Sequence, residues 1–289
     1  MATAVLTNPT GVAPAEKQYV RFTLGQRYLH AVLMVTFLAL ALTGLPLRFS
    51  ASHWSTDFSA LVGGFGVILY FHKLAAVALT IAFAIHVSNI LYRVIAKREY
   101  TLVWGPTTLI PQLKDIFDFI GHFKWFLHLG PRPKFGRYAY WDKVDYWAVF
   151  WGMGIIGFSG YAMWFAPTFG RLIPGWWMNI ALLVHGEEAL LAVSFIFTIH
   201  FFNTHLRHGS FPMDMGIFTG RISEAELEDR HPEELEMRKQ SGELAKLEAP
   251  TPETWLTNFA HVVGYTAVAM GFVMLVFTVG AFIQDLMRK

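Results

Sequence analysis

Five long apolar stretches constrain the fold of this 289-residue chain more than any other feature of its sequence. The stretches are residues 28–47, 65–92, 144–165, 177–203 and 257–284. Each is long enough to cross a bilayer, which takes about 20 mostly apolar residues. Only 15% of the residues are charged, whereas ordinary soluble domains carry about 25%. The chain is therefore predicted to be an all-α integral membrane protein with five transmembrane helices that pack against membrane lipid.

Lysine and arginine are concentrated in alternate connections between these stretches. There are three in the N-terminal tail, nine in 93–143 and six in 204–256, but one each in 48–64 and 166–176. The positive-inside rule then places the tail and both long segments in the cytoplasm and the C-terminus outside. We expect no cleaved signal peptide. The predicted location is the inner (cytoplasmic) membrane of a bacterium or archaeon, crossed several times.

The same pattern predicts four parts of the chain. These are a cytoplasmic N-terminal tail (1–27), a four-helix bundle (28–203), a charged cytoplasmic extension (204–256) and a fifth transmembrane segment (257–289). Within the bundle, the cytoplasmic segment 93–143 contains an amphipathic helix that we expect to lie at the membrane surface. In the extension, Ser223 and Glu226 fit a capping box at the start of a helix whose charged face is expected to be solvated.

Five histidines lie in the first, second and fourth predicted spans, and ionisable residues inside a membrane are rare and tend to be functional. His72 and His86 are fourteen residues apart, so on an α-helix they share one face within about 40° and lie about 21 Å apart along its axis. His185 and His200, fifteen residues apart, differ by about 60°. Taken with the topology, His72 and His185 form an outer layer, while His30, His86 and His200 lie near the cytoplasmic side.

Two histidine layers are typical of two b haems (heme b) stacked across a membrane, because an electron-transfer haem usually takes two axial imidazoles. The outer haem would lie between His72 and His185, and the inner haem between His200 and either His30 or His86. A chain without cysteine cannot attach haem covalently in the c-type manner or hold a cysteine-ligated iron–sulfur cluster. A single buried histidine is more often a hydrogen-bonded core residue, but five in two layers are hard to explain in that way.

The histidine pattern resembles the di-haem cytochrome b family, which includes the cytochrome b (gamma) subunits of formate dehydrogenases, NiFe hydrogenases and thiosulfate reductases. The resemblance rests on QRYLHAVLMVTFLALALTGLPLRF in the first span, FHKLAAVALT in the second and the two histidines of the fourth. It implies His72 with His185 at the outer haem and His30 with His200 at the inner haem. The fifth span and the position of His86 depart from the family pattern.

A three-haem alternative would add a haem that uses His205 with His86 or His30. His205 lies about 140° round an α-helix from His200, so on that geometry one haem cannot use both. The segment from 199 to 247 also resembles a branch of cytochrome b proteins associated with multihaem c-type cytochromes.

The resemblance implies a redox subunit that relays electrons between a quinone (or menaquinone) at the inner haem and an extracytoplasmic partner at the outer haem. That partner would be a c-type cytochrome, or an iron–sulfur, molybdenum-containing or hydrogenase subunit. Asn203, His205 and an unligated His30 are candidates for the quinone site, and Arg27 and Arg207 for the propionates of the inner haem. A net charge of +2 does not indicate nucleic acid. The alternatives are a b561-type reductase of ferric iron or another small acceptor, and a non-redox transporter.

Overall fold

The fold is mainly helical, with long apolar helices separated by short polar elements. A computed structural model of the chain describes residues 16–207 and 209–287. Its α-helices are α1 Leu24–Arg48, α2 His53–Val62, α3 Phe65–Ile95, α4 Leu113–Phe126, α5 Tyr140–Gly152, α6 Phe158–Trp164, α7 Ala166–Phe169, α8 Trp176–Phe195, α9 Gly216–Thr219, α10 Glu224–Arg230, α11 Pro232–Ser241 and α12 Thr254–Met287. Short 3₁₀ turns occur at Tyr100–Leu102 and Leu244–Leu247, and π-helical segments at Met153–Gly157, Ile196–His200 and Phe202–Leu206. Residues 1–15 of the predicted tail and the last two of the predicted fifth segment lie outside the described residues.

Four helices of the described residues are long and apolar enough to cross a membrane, which is compatible with a multi-pass membrane protein. They are Leu24–Arg48, Phe65–Ile95, Trp176–Leu206 and Thr254–Gly280, and they coincide with the first, second, fourth and fifth predicted spans. The third predicted span is also helical, through α5, a π-helical segment and α6. It falls short in hydropathy because its sequence is rich in Trp, Tyr and Gly and carries charges in its first two turns. Five spans therefore remain a prediction.

The long helices pack side by side. Helix α3 runs against α1, and α5 and α6 pack against α8. Helix α12 covers α1 and α8 through a buried apolar cluster of Ala41, Leu45, Val193, Phe197 and Met274. The C-terminal helix is thus part of the same bundle and not a detached anchor.

The polar segments meet at one end of the bundle, which we call the sheet end; α1, α5 and α12 begin there. Strands β1 Gln18–Val20, β2 Arg221–Ser223 and β3 Glu248–Ala249 form an antiparallel sheet in the order β2-β1-β3. Tyr19 pairs with both Ile222 and Glu248. The expectation of an all-α chain was therefore wrong in this detail. Strands of two or three residues are too short to show the alternation that identifies a strand in sequence.

A buried ion cluster holds together the polar segments at the sheet end, which we call the sheet-end domain. The carboxylate of Glu234, only 2% exposed, pairs with Arg21, with Arg137 at 2.9 Å and with Arg238 at 2.8 Å. Ser223 caps α10 by accepting a hydrogen bond from the Glu226 N–H at 3.2 Å, which confirms the predicted helix start. The charged surface expected to be solvated is interrupted by two buried charges, Arg230 on α10 and Glu234 on α11.

Candidate functional site

One large cavity extends along the inside of the bundle. Its volume is about 1600 Å³, above the roughly 300–1,000 Å³ of an ordinary small-ligand pocket. Its walls come from α1, α3, α5, α6 and α8 and from the π-helical segments. Five of the six histidines singled out in the sequence line it, namely His30, His72, His185, His200 and His205. The cavity therefore joins both histidine layers.

His72 and His185 both line the cavity at the end opposite the sheet end. Their ring centroids are 6.3 Å apart, with the ring planes at 75°. A metal-bound imidazole nitrogen lies about 2.0–2.1 Å from the metal and about 1.1 Å from its own ring centre, so two imidazoles on opposite sides of one iron have centroids about 6.3 Å apart. The spacing of this pair matches that geometry.

Hydrogen bonds fix which ring nitrogen of each histidine is free. The Nδ1–H of His185 donates to the carbonyl oxygen of Ile156 at 2.9 Å, and a carbonyl can only accept. His72 Nδ1 lies 2.9 Å from the hydroxyl oxygen of Thr43, which donates its own proton to the carbonyl of Ala39 at 2.6 Å. Both histidines therefore carry the proton on Nδ1. Each keeps the Nε2 lone pair that a metal needs.

Two glycines make room for these rings. A Cβ on Gly160 would lie 2.9 Å from His185 Cε1, and one on Gly44 would lie 3.2 Å from His72 Cε1. Both distances are shorter than the separation of about 3.5–4.0 Å at which two carbon atoms make a favourable contact. Gly160, in the third predicted span, thus lies against a candidate ligand.

At the sheet end, His200 is held by a carboxylate. Its Nδ1 lies 2.9 Å from Oδ2 of Asp145, so the Nδ1–H donates to the carboxylate and Nε2 is left for a metal. His30 also lines this part of the cavity. The sequence analysis missed Asp145, because a carboxylate near the end of a span is usually a solvated residue.

The π-helical segments change the expected position of His205. A π-helix has about 4.4 residues per turn, so five residues turn the chain by about 50° beyond one full turn. In an α-helix five residues would turn it by roughly 140° beyond one full turn. His200 and His205 both line the cavity, and the angle between them is smaller than the one expected for an α-helix. The Nδ1–H of His205 donates to the carbonyl of Pro212 at 2.8 Å, which leaves its Nε2 without a proton.

His86 is set apart from the others. It does not line the cavity, and its Nε2 lies 2.9 Å from the hydroxyl of Tyr146. Its ring packs edge-on against Tyr146 and Phe150. The nitrogen that a haem iron would take is thus already engaged by a protein side chain.

The remaining candidates separate in the same way. Asn203 and Arg207 line the sheet end of the cavity, where the Arg207 guanidinium lies 5.4 Å from the ring centre of Trp141. Arg27 is not among the lining residues and donates to the carbonyl of Phe218. At the opposite end the sequence analysis missed Arg48, which lines the cavity and pairs with Glu187 at 2.6 Å. The signal for Arg48 was that it is the single basic residue of the first short connection.

The donor set suits a haem better than a bare metal ion. Within the described ranges, no three His, Cys, Asp or Glu side chains are grouped so as to hold a metal. A haem needs only two axial imidazoles, since the porphyrin supplies the other four ligands. The His72–His185 pair, with its 6.3 Å ring separation, and the cavity that it lines fit that requirement. No known family model matches the chain, and no curated protein is significantly similar to it.

Proposed function

We propose that the chain is a five-span di-haem b cytochrome of the formate dehydrogenase and hydrogenase cytochrome b type, which relays electrons across the membrane. The observation that carries the proposal is the His72–His185 pair, with its 6.3 Å ring separation and two hydrogen-bonded Nδ1 atoms. Haem, when bound, supplies a one-electron carrier whose potential the protein adjusts through ligands and burial. The chain supplies the ligands, their orientation and an apolar path between two levels of the membrane.

His30 and His200 are the proposed ligands of the second haem. Both line the cavity, and Asp145 holds the His200 ring in one orientation. His86 is the weaker choice, because its Nε2 is bonded to Tyr146 and it lies off the cavity wall. The same contacts disfavour a third haem that would use His86.

The sheet end is the proposed site of quinone exchange and the proposed cytoplasmic side. His205 and Asn203 lie on the cavity wall there, and the unprotonated Nε2 of His205 can accept a proton from a quinol hydroxyl. The opposite end, with Arg48 at its rim, would face an extracytoplasmic c-type cytochrome or an iron–sulfur, molybdenum-containing or hydrogenase subunit. An exchange of two protons and two electrons at one end is thereby coupled to one-electron transfer at the other.

Quinol-driven haem reduction in liposomes tests the proposal. A menaquinol analogue is added to the purified full chain, and the α-band of reduced b haem is followed in the wild type, His205→Ala and His86→Ala. We expect rapid reduction in the wild type, reduction slowed by about 10²-fold or more in His205→Ala, as for loss of a general base, and an unchanged rate in His86→Ala. The absence of a b-haem spectrum in the wild type would refute the proposed function.

A chemical reductant separates the two parts of this test. If dithionite reduces the haem of His205→Ala fully while the quinol does so slowly, the defect lies in quinol oxidation and not in haem binding. Equal quinol rates in the wild type and in His205→Ala would remove His205 from the quinone site.

A further inference from the structure

The candidate ligands differ in what holds their Nδ1 atoms. At the end opposite the sheet end, both acceptors are neutral, namely the carbonyl of Ile156 and the hydroxyl of Thr43. At the sheet end, the acceptor for His200 is the carboxylate of Asp145, at 2.9 Å. One of the two proposed haems therefore has a ligand bonded to a negative charge.

We propose that Asp145 is a positioning residue that lowers the midpoint potential of the sheet-end haem below that of the other haem. This inference rests on the proposed function. A carboxylate acceptor makes an imidazole ligand more basic. A more basic ligand stabilises the ferric state over the ferrous state, because the oxidised iron carries the extra positive charge.

The surroundings of Asp145 strengthen this effect. Its side chain is only 17% exposed, and a charge interacts more strongly where water is largely excluded. Its second oxygen, Oδ1, is buried and has no hydrogen-bond partner among the described residues. The described part of the chain thus provides no second donor that would draw the carboxylate charge away from His200.

The difference in potential gives a direction to electron transfer. Electrons move spontaneously from the lower to the higher potential, so a haem held by His72 and His185 would be the favoured acceptor of electrons from a haem held by His200. The favoured reaction is then oxidation of a quinol at the sheet end, which releases two protons and two electrons. His72 and His185 would hold the haem that supplies a one-electron carrier towards an acceptor on the opposite side.

A potentiometric titration of the full-length protein with Asp145→Asn tests the inference. The α-band of reduced haem is recorded against the solution potential, and the haem content per chain is measured on the same samples. We expect the lower-potential step to move to a higher potential and the other step to stay in place. Asp142→Asn is the matched control. It removes a carboxylate three residues earlier on α5 that accepts from the Ala139 N–H at 2.9 Å and not from a histidine.

Each outcome has one meaning. Two haems with unmoved steps in Asp145→Asn, or an equal shift in Asp142→Asn, would overturn the role of Asp145 while the proposed function stands. A wild type without haem would refute the proposed function itself. If Asp145→Asn loses a haem, the test is His185→Ala, which should retain only the sheet-end haem. That haem is expected at the lower-potential step of the wild type, and a match to the higher step would overturn the inference.

Discussion

Gly160 offers the sharpest structural test of the His72–His185 pair. In Gly160→Ala the new Cβ would lie 2.9 Å from Cε1 and 3.3 Å from Nδ1 of His185. Without haem the imidazole can turn away from the methyl group. A bound haem would hold the His185 ring in place together with the bond to the Ile156 carbonyl, so the strain would fall mainly on the haem-bound state.

The size of the effect follows from the cost of overpacking. An extra methyl group in a close-packed site costs about 1–3 kcal/mol, which corresponds to about a 5- to 150-fold loss of affinity for the haem between His72 and His185. The fold itself should not weaken, since alanine in a helix is about 1 kcal/mol more favourable than glycine. Gly44→Ala should have a smaller effect, because its Cβ would lie 3.2 Å from His72 Cε1.

The assay is haem content per chain, measured by pyridine haemochrome after purification with limiting haem, together with the thermal unfolding temperature. Gly154→Ala is the matched control on the same helical stretch, because a Cβ there meets nothing within 4 Å. We expect Gly160→Ala to lose one of two haems and Gly154→Ala to keep both. Full haem occupancy in Gly160→Ala, or equal loss in Gly154→Ala, would refute the reasoning.

Three further predictions concern residues away from this pair. His86→Ala should keep both haems and cost about 1 kcal/mol, the worth of the lost Tyr146 hydrogen bond; haem analysis and thermal unfolding check both points. Glu234→Gln should destabilise the sheet-end domain by about 3–5 kcal/mol, because it leaves buried arginines without their charge partner; amide hydrogen exchange in β1 reports the loss. Burial is the main cause, and the positive charge of Arg21 the second cause, that lowers the pKa of His231 from 6.5 to about 3. The unfolded chain therefore binds the extra proton, and the domain should lose stability as the pH falls from 6.5 towards 3; thermal unfolding of wild type and His231→Gln across that range measures the difference.

Glu234 adds to the acid sensitivity of the same domain. Burial alone raises the pKa of its carboxyl, but Arg21, Arg137 and Arg238 outweigh burial and lower that pKa to about 2, from 4.5. Its stabilising contribution is complete above pH 4.5 and is lost as the pH falls towards 2. An unfolding temperature that stays constant between pH 6.5 and 3 would contradict this account of the ion cluster.

The long helices could be predicted from sequence because their signal is local. The predicted span 65–92 corresponds to the helix Phe65–Ile95 of the structure, and the predicted span 177–203 corresponds to the helix Trp176–Leu206. Regular helical geometry and the topology were enough to put His72 and His185 at one level, and their rings do lie 6.3 Å apart. That they bind haem is still a prediction.

The features that sequence did not predict depend on contacts between distant residues or on local departures from the α-helix. Tyr19 pairs with Ile222, which lies about two hundred residues later in the sequence. Arg21 forms an ion pair with Glu234 at a similar separation in sequence. No local sequence pattern predicts such pairs. The π-helical segment Phe202–Leu206 changes the angle between His200 and His205 from the roughly 140° expected for an α-helix to about 50°.

Haem content per chain is the measurement that tests the central claim most directly. Pyridine haemochrome analysis of the purified full chain should give two b haems in the wild type and in His86→Ala, and one in His72→Ala and in His30→Ala. No haem in the wild type would contradict the account entirely. Loss of a haem in His86→Ala with both retained in His30→Ala would contradict the proposed ligands of the sheet-end site.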